Sequence, residues 1–150
     1  MTITTASLRT DLHEAMRAKD KVRAATLRMA LTAITTEEAA GEHHDLTPEE
    51  IVKVLAKEAK KRREAATAYT DAGRPELADA ENAELAVLEE YLPRQLDDAG
   101  LTAIVDEVIA ETGASGMAQM GQVMKAVQAR IAGQAEGGRV AALVRSRLAR

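Results

Sequence analysis

The sequence predicts an all-α protein: an N-terminal helical bundle built on a long antiparallel helical hairpin, followed by a small three-helix C-terminal domain. Three observations lead there. Of 150 residues 31 are Ala, and there is no Phe, Trp or Cys. Ala, Leu, Glu and Arg favour helices, and the aromatic residues on which sheets draw are nearly absent. Apolar residues recur at steps of three and four through most of the chain. Gly and Pro fall where those periodic stretches stop.

The first helix is expected over Ser7–Lys19, with Leu8, Leu12, Ala15 and Met16 on one face. Asp20 suits the N-cap of a second helix. There Val22, Thr26, Met29 and Ala33 form one stripe and Leu27, Leu31 and Ile34 another, so this helix is expected to be central and covered on both sides. Gly41–Asp45 is a polar loop. Thr47-Pro48-Glu49-Glu50 reads as a capping box with Pro at the first helical position. The third helix then runs from Pro48 to Ala72, about 37 Å at 1.5 Å per residue, and Gly73 ends it in a left-handed cap. After Arg74-Pro75 a fourth helix carries Leu77, Leu85, Leu88 and Leu92, closing the hairpin. Residues 1–92 form the N-terminal domain and 93–96 a linker at Pro93. Residues 97–150 hold three short helices: Asp98–Thr112, Met117–Ala132 and Gly137–Ala149.

The net charge of −4 argues against a generally basic nucleic-acid binder, but the charges are unevenly spread. Residues 53–63 carry Lys53, Lys57, Lys60, Lys61, Arg62 and Arg63 against Glu58 alone, a local balance of +5. Residues 76–98 balance at −7, and 125–150 again at +5. On a helical wheel Lys53, Lys57 and Lys60 lie opposite Ile51, Leu55 and Ala66, an outward row open to a polyanion. Glu58 and Arg62 fall inside the apolar stripe, four apart with Glu first, the favourable order. In a hairpin turning at Gly73-Arg74, Arg62 faces Glu84. A half-buried guanidinium needs carboxylate partners, so Arg62 is expected to pair with Glu84, Glu58 or both.

No other constellation carries chemistry. His43 and His44 are adjacent, share no helix face and have no evident third ligand, so no metal is expected. A nucleophile elbow and a phosphate-binding loop are both missing, so no catalytic residue and no cofactor is expected. The glycines at 133–138 follow no strand and read as a helix stop and start. Met16, Met117, Met120 and Met124 sit at helical spacing, as core filler or a partner groove. No stretch is long and apolar enough to span a membrane. The N-terminus shows no secretory signal and Cys is absent, so a cytoplasmic protein is expected.

Several stretches, in this order and spacing, resemble the YqeY-like proteins of the GatB/YqeY family. They are Leu27-Arg28-Met29, Glu58-Ala59-Lys60-Lys61-Arg62-Arg63-Glu64, Ala72-Gly73-Arg74 and Glu89-Glu90-Tyr91-Leu92-Pro93-Arg94-Gln95-Leu96, with Met120-Gly121-Gln122-Val123-Met124-Lys125 and Gly133-Gln134-Ala135-Glu136-Gly137 in the tail. The resemblance implies the same two-part helical fold. It also implies a tail similar to the C-terminal domain of the B subunit of tRNA-dependent amidotransferase, where the tail helps engage tRNA and a larger domain holds the kinase chemistry. This chain is too short for that larger domain. Two positions depart from the family pattern: Ala132 stands where Lys is usual, and Glu136 where Asp or Asn is favoured, which predicts a weaker helix cap.

The resemblance further implies a non-catalytic accessory protein that contacts tRNA, in company with aminoacyl-tRNA or the amidotransferase machinery. The candidate phosphate contacts are Lys53, Lys57, Lys60, Lys61, Arg63, Lys125 and Arg130, extended by Arg145 and Arg147. With two Tyr as the only aromatics, contact would be by shape and phosphate, not base stacking. The alternative is a protein–protein module using the acidic fourth helix or the tail. A glutamine-dependent carbon–nitrogen ligase is suggested by family label only.

Overall fold

The structure, a computed structural model, describes residues 2–149; Met1 and Arg150, the latter counted above in the basic tail, lie outside the described residues. Among the described residues there are seven α-helices, one short 3-10 turn and no strand. The chain divides into two compact units, Met1–Leu92 and Pro93–Arg150.

The first unit holds α1 (Thr5–Arg17), α2 (Lys21–Ala39), α3 (Pro48–Asp71) and α4 (Pro75–Glu89). α1 starts two residues before the expected Ser7, because Thr4 and Ser7 close a reciprocal capping box. It also stops short of Lys19, which adopts φ 59° to turn the chain into α2. A non-glycine residue there carries left-handed strain. Asp20 caps α2 by accepting from the Arg23 amide at 3.0 Å. Thr47 and Glu50 close a second capping box at the head of α3. Gly73, at φ 71°, turns the chain from α3 into α4, and the two helices pack against each other.

Leu8, Leu27, Ile34, Ile51, Leu55 and Leu88 form the core of this unit, with Ala30 and Ala59 buried among them. Alanine at these places lets helices approach closely without voids. α2 packs against α1, α3 and α4 through Ala24, Thr26, Leu27, Ala30 and Ile34. The expectation of cover on both sides fails: Val22 is 45% exposed and Met29 46%. The neighbours bury one face of α2 and leave the other in solvent.

The second unit holds α5 (Asp98–Thr112), α6 (Met120–Ile131), entered through the 3-10 turn Met117–Gln119, and α7 (Gly137–Leu148). Its core is aliphatic: Leu101, Val105, Val108, Val123, Val127, Ile131, Val140, Val144 and Leu148. Residues 93–96, expected as a linker, are bonded into this unit. The Leu96 amide donates to Gln134 O at 2.7 Å, the Gln95 side-chain amide donates to Pro93 O and Gly133 O, and Arg139 donates to Leu96 O at 2.9 Å. α6 ends one residue early, since Ala132 takes a left-handed φ of 45° ahead of Gly133 at φ 85°. Glu136 caps α7 despite its length, because its carboxylate folds back onto the amides of Gly138 at 2.8 Å and Arg139 at 3.2 Å. No helix among the described residues is long and apolar enough to cross a membrane.

Candidate nucleic-acid interface

The cations of α3 separate by helix face. Ile51, Leu55, Ala59, Arg62 and Ala66 are buried, while Lys53, Lys57, Lys60 and Lys61 are exposed. Lys53 and Lys57, one turn apart, have no ion pair among the described residues. Lys60 is exposed but engaged within the chain. Lys61 lies 3.0 Å from Glu58, and Arg63, half-buried, lies 3.9 Å from Glu89 of α4. The outward row therefore offers Lys53 and Lys57 as unspent charge.

Arg62 belongs to the interior. Only 9% of its surface is exposed. Its Nε sits 2.8 Å from Glu84 Oε2 and 3.7 Å from Glu81 Oε2, and its Nη2 donates to Met29 Sδ at 3.3 Å. Arg62 Nε and Glu81 Oε2 are both buried without an aligned hydrogen bond, so the Glu84 contact is a charge contact more than a directional one. Glu58, the other carboxylate expected near Arg62, takes Lys61 instead: a partner three residues on along the same helix is within easy reach. One guanidinium held against two carboxylates in a half-dry site supports the fold and leaves Arg62 unable to reach a ligand.

The tail cations are mostly committed. Arg130 contacts Glu107 at 3.3 Å and also Glu111. Arg139 contacts Asp98 at 2.7 Å. Arg147 holds both oxygens of Asp106, and this contact raises its pKa. Lys125 and Arg145 are exposed and have no ion pair among the described residues. The glycine run at 133–138 presents no open anion cradle, since the Glu136 carboxylate occupies the head of α7.

Two polar clusters lie outside the predicted set. The Tyr91 hydroxyl donates to Asp11 Oδ2 at 2.6 Å. Burial first, and then Asp11, hold this hydroxyl far above the usual tyrosine range. Beside it Arg23 meets Glu90 at 2.7 Å. Asp11, Glu14, Asp20, Arg23 and Tyr91 line a concavity of about 380 Å³, whose excess of carboxylates repels a phosphate. Nothing in local sequence pairs residue 11 with residue 91, so this contact was not foreseeable from spacing. Near α3, His44 Nε2 lies 3.4 Å from Glu50 Oε1. Among the described residues no group of three or more His, Cys, Asp or Glu is placed to hold a metal.

A protein-family model described as Yqey-like protein matches residues 5–148. No curated protein matches the chain.

Proposed function

We propose that this chain, which belongs to the YqeY-like family, is a non-catalytic accessory protein that holds tRNA by its phosphates on the outward face of α3. The observation that carries this reading is the pair Lys53 and Lys57: exposed, one helical turn apart, and without an ion pair in a chain whose net charge is −4. Charge left unspent in an otherwise acidic protein is suited to a polyanion, because contact releases condensed counterions. Lys60 and Lys61 extend the row. In the tail, taken by itself, Lys125 and Arg145 are the exposed cations suited to phosphate, and Arg130 contributes less because two carboxylates already hold it. Tyr91 is tied to Asp11, which supports recognition of shape and phosphate over base stacking. A role in tRNA-dependent amidation, beside aminoacyl-tRNA or the amidotransferase, is the setting that the family resemblance favours.

The experiment is a titration of the intact protein with total tRNA at low and moderate salt. Saturable binding that weakens with salt, and that Lys53→Glu/Lys57→Glu lowers at least tenfold, supports the proposal. No binding at low salt, or binding indifferent to the double reversal, overturns it.

A further inference from the structure

The uncovered face of α2 is organised. Val22, Ala25, Met29, Thr32 and Thr36 are all exposed, and their spacing alternates three and four, the a/d spacing of a helix–helix seam. The Thr32 and Thr36 hydroxyls each donate to a backbone carbonyl one turn back at 3.0 Å. With the hydroxyls spent, both residues offer their methyl groups. Two of the large exposed apolar residues of the described chain, Val22 and Met29, lie on this seam.

One edge of the seam is cationic. Lys21 and Arg28 stand seven residues apart beside it, exposed and without an ion pair among the described residues. From Lys21 through Thr36 there is no Asp or Glu. The third cation of that stretch, Arg23, is held by Glu90. Beyond the edge, Met16, Lys19, Lys21 and Arg28 line a concavity of about 350 Å³. Asp20, also at its rim, is committed to capping α2. The opposite edge, with Thr26 buried and Ala33 half-buried, is turned into the unit.

We infer that the outer face of α2 docks one acidic amphipathic helix of a partner protein, apolar side chains on the Val22–Thr36 seam and carboxylates along Lys21 and Arg28. A heptad-spaced seam selects a helix, and its span of about 21 Å selects one of roughly four turns. The cationic edge selects acid, since interfacial charge fixes partner choice. A second copy of this chain is disfavoured, because its own seam is flanked by cations with no acid to meet them. RNA is disfavoured because it leaves the apolar seam uncovered.

The test uses the intact protein and a labelled 18-residue amphipathic peptide, leucine at a and d and glutamate on both flanks, beside its lysine-for-glutamate counterpart. Fluorescence anisotropy is expected to show one-to-one binding of the acidic peptide and none of the basic one. Ala25→Glu and Thr32→Glu, both on exposed helix positions, should each weaken binding at least tenfold, and Arg28→Glu severalfold. Ala86→Glu, an acid added on the exposed side of α4, should leave it unchanged. Far-ultraviolet circular dichroism confirms that each variant is folded. Equal binding of both peptides, or insensitivity to both seam variants, overturns the inference. So does self-association that Ala25→Glu abolishes, which assigns the seam to a second copy. So does tRNA binding lost in the seam variants while peptide binding persists, which assigns it to RNA.

Discussion

Residues 53–63 of α3 and residues 125–150 of the tail carry the same local balance of +5, yet the two units spend it differently. On α3 the charges divide by face: Arg62 turns inward to Glu84 and Glu81, and Lys53 and Lys57 stay unpaired outside. In the tail, Arg130, Arg139 and Arg147 each reach back to a carboxylate on α5, stapling the three short helices together. A unit this small has little core to spare, so these three arginines serve packing and orientation. Each stretch keeps two exposed cations without an ion pair among the described residues, but Lys53 and Lys57 stand one turn apart on a single helix, whereas Lys125 and Arg145 lie on different helices.

The comparison breaks most visibly at Arg62. Replacing it with Leu strands Glu81 and Glu84 in a half-dry site and should cost about 3–5 kcal/mol, read as a lower urea midpoint at unchanged slope. Glu84→Gln should cost more than Glu81→Gln, since Glu84 is the nearer carboxylate at 2.8 Å against 3.7 Å. A loss under about 1 kcal/mol for Arg62→Leu would mean that the site is wetter than its burial indicates.

Tyr91→Phe is the next step down. It deletes the 2.6 Å bond to Asp11 and should cost about 1–2 kcal/mol. The same denaturation measurement checks it, and an unchanged midpoint would show that water replaces the hydroxyl without loss.

Smaller, and opposite in sign, are the two non-glycine residues at positive φ, Lys19 and Ala132. Lys19→Gly and Ala132→Gly should each stabilise by about 0.5–1 kcal/mol, left-handed strain being relieved by more than the added chain entropy costs. Destabilisation in either variant would deny that the backbone is strained there.

Smallest is the pH response at the head of α3. The Glu42 carbonyl and then Glu50 raise the pKa of His44 above 6.5, and the Thr47 amide and then His44 lower that of Glu50 below 4.5. His44 therefore contributes stability that is fully present below pH about 6.5 and lost as pH rises through its elevated folded value. Glu50 contributes stability present above its unfolded value and lost as pH falls through its depressed one. The chemical shifts of His44 followed against pH check this, and Glu50→Gln should bring its titration closer to 6.5.

Much of the helical order was legible because it is punctuated locally. Thr47-Pro48-Glu49-Glu50, Asp20 and Gly73 act within a few residues, and their capping and turning roles are visible in spacing alone. The near approach of Arg62 and Glu84 was legible from helix phase and turn position together. What spacing hid was decided by neighbours. Glu58 has Lys61 and Arg62 both within reach, and only the folded geometry sends it to Lys61. Tyr91 and Asp11 are 80 residues apart in sequence. The tail arginines looked like a polyanion site because their acids lie on α5, far along the chain. The stripe of α2 that carries Val22 and Met29 is apolar in sequence, and periodicity does not say whether anything covers it.

The difference between spent and unspent cations is tested most directly by the salt dependence of tRNA binding. Slopes of log Kobs against log salt should be measured for the intact protein, for Lys53→Gln/Lys57→Gln and for Arg130→Gln/Arg139→Gln. The α3 pair should flatten the slope by about 1–2, one lost phosphate contact per lysine, while the tail pair changes the slope less and lowers the urea midpoint. A slope flattened by the tail pair and untouched by the α3 pair would contradict the assignment.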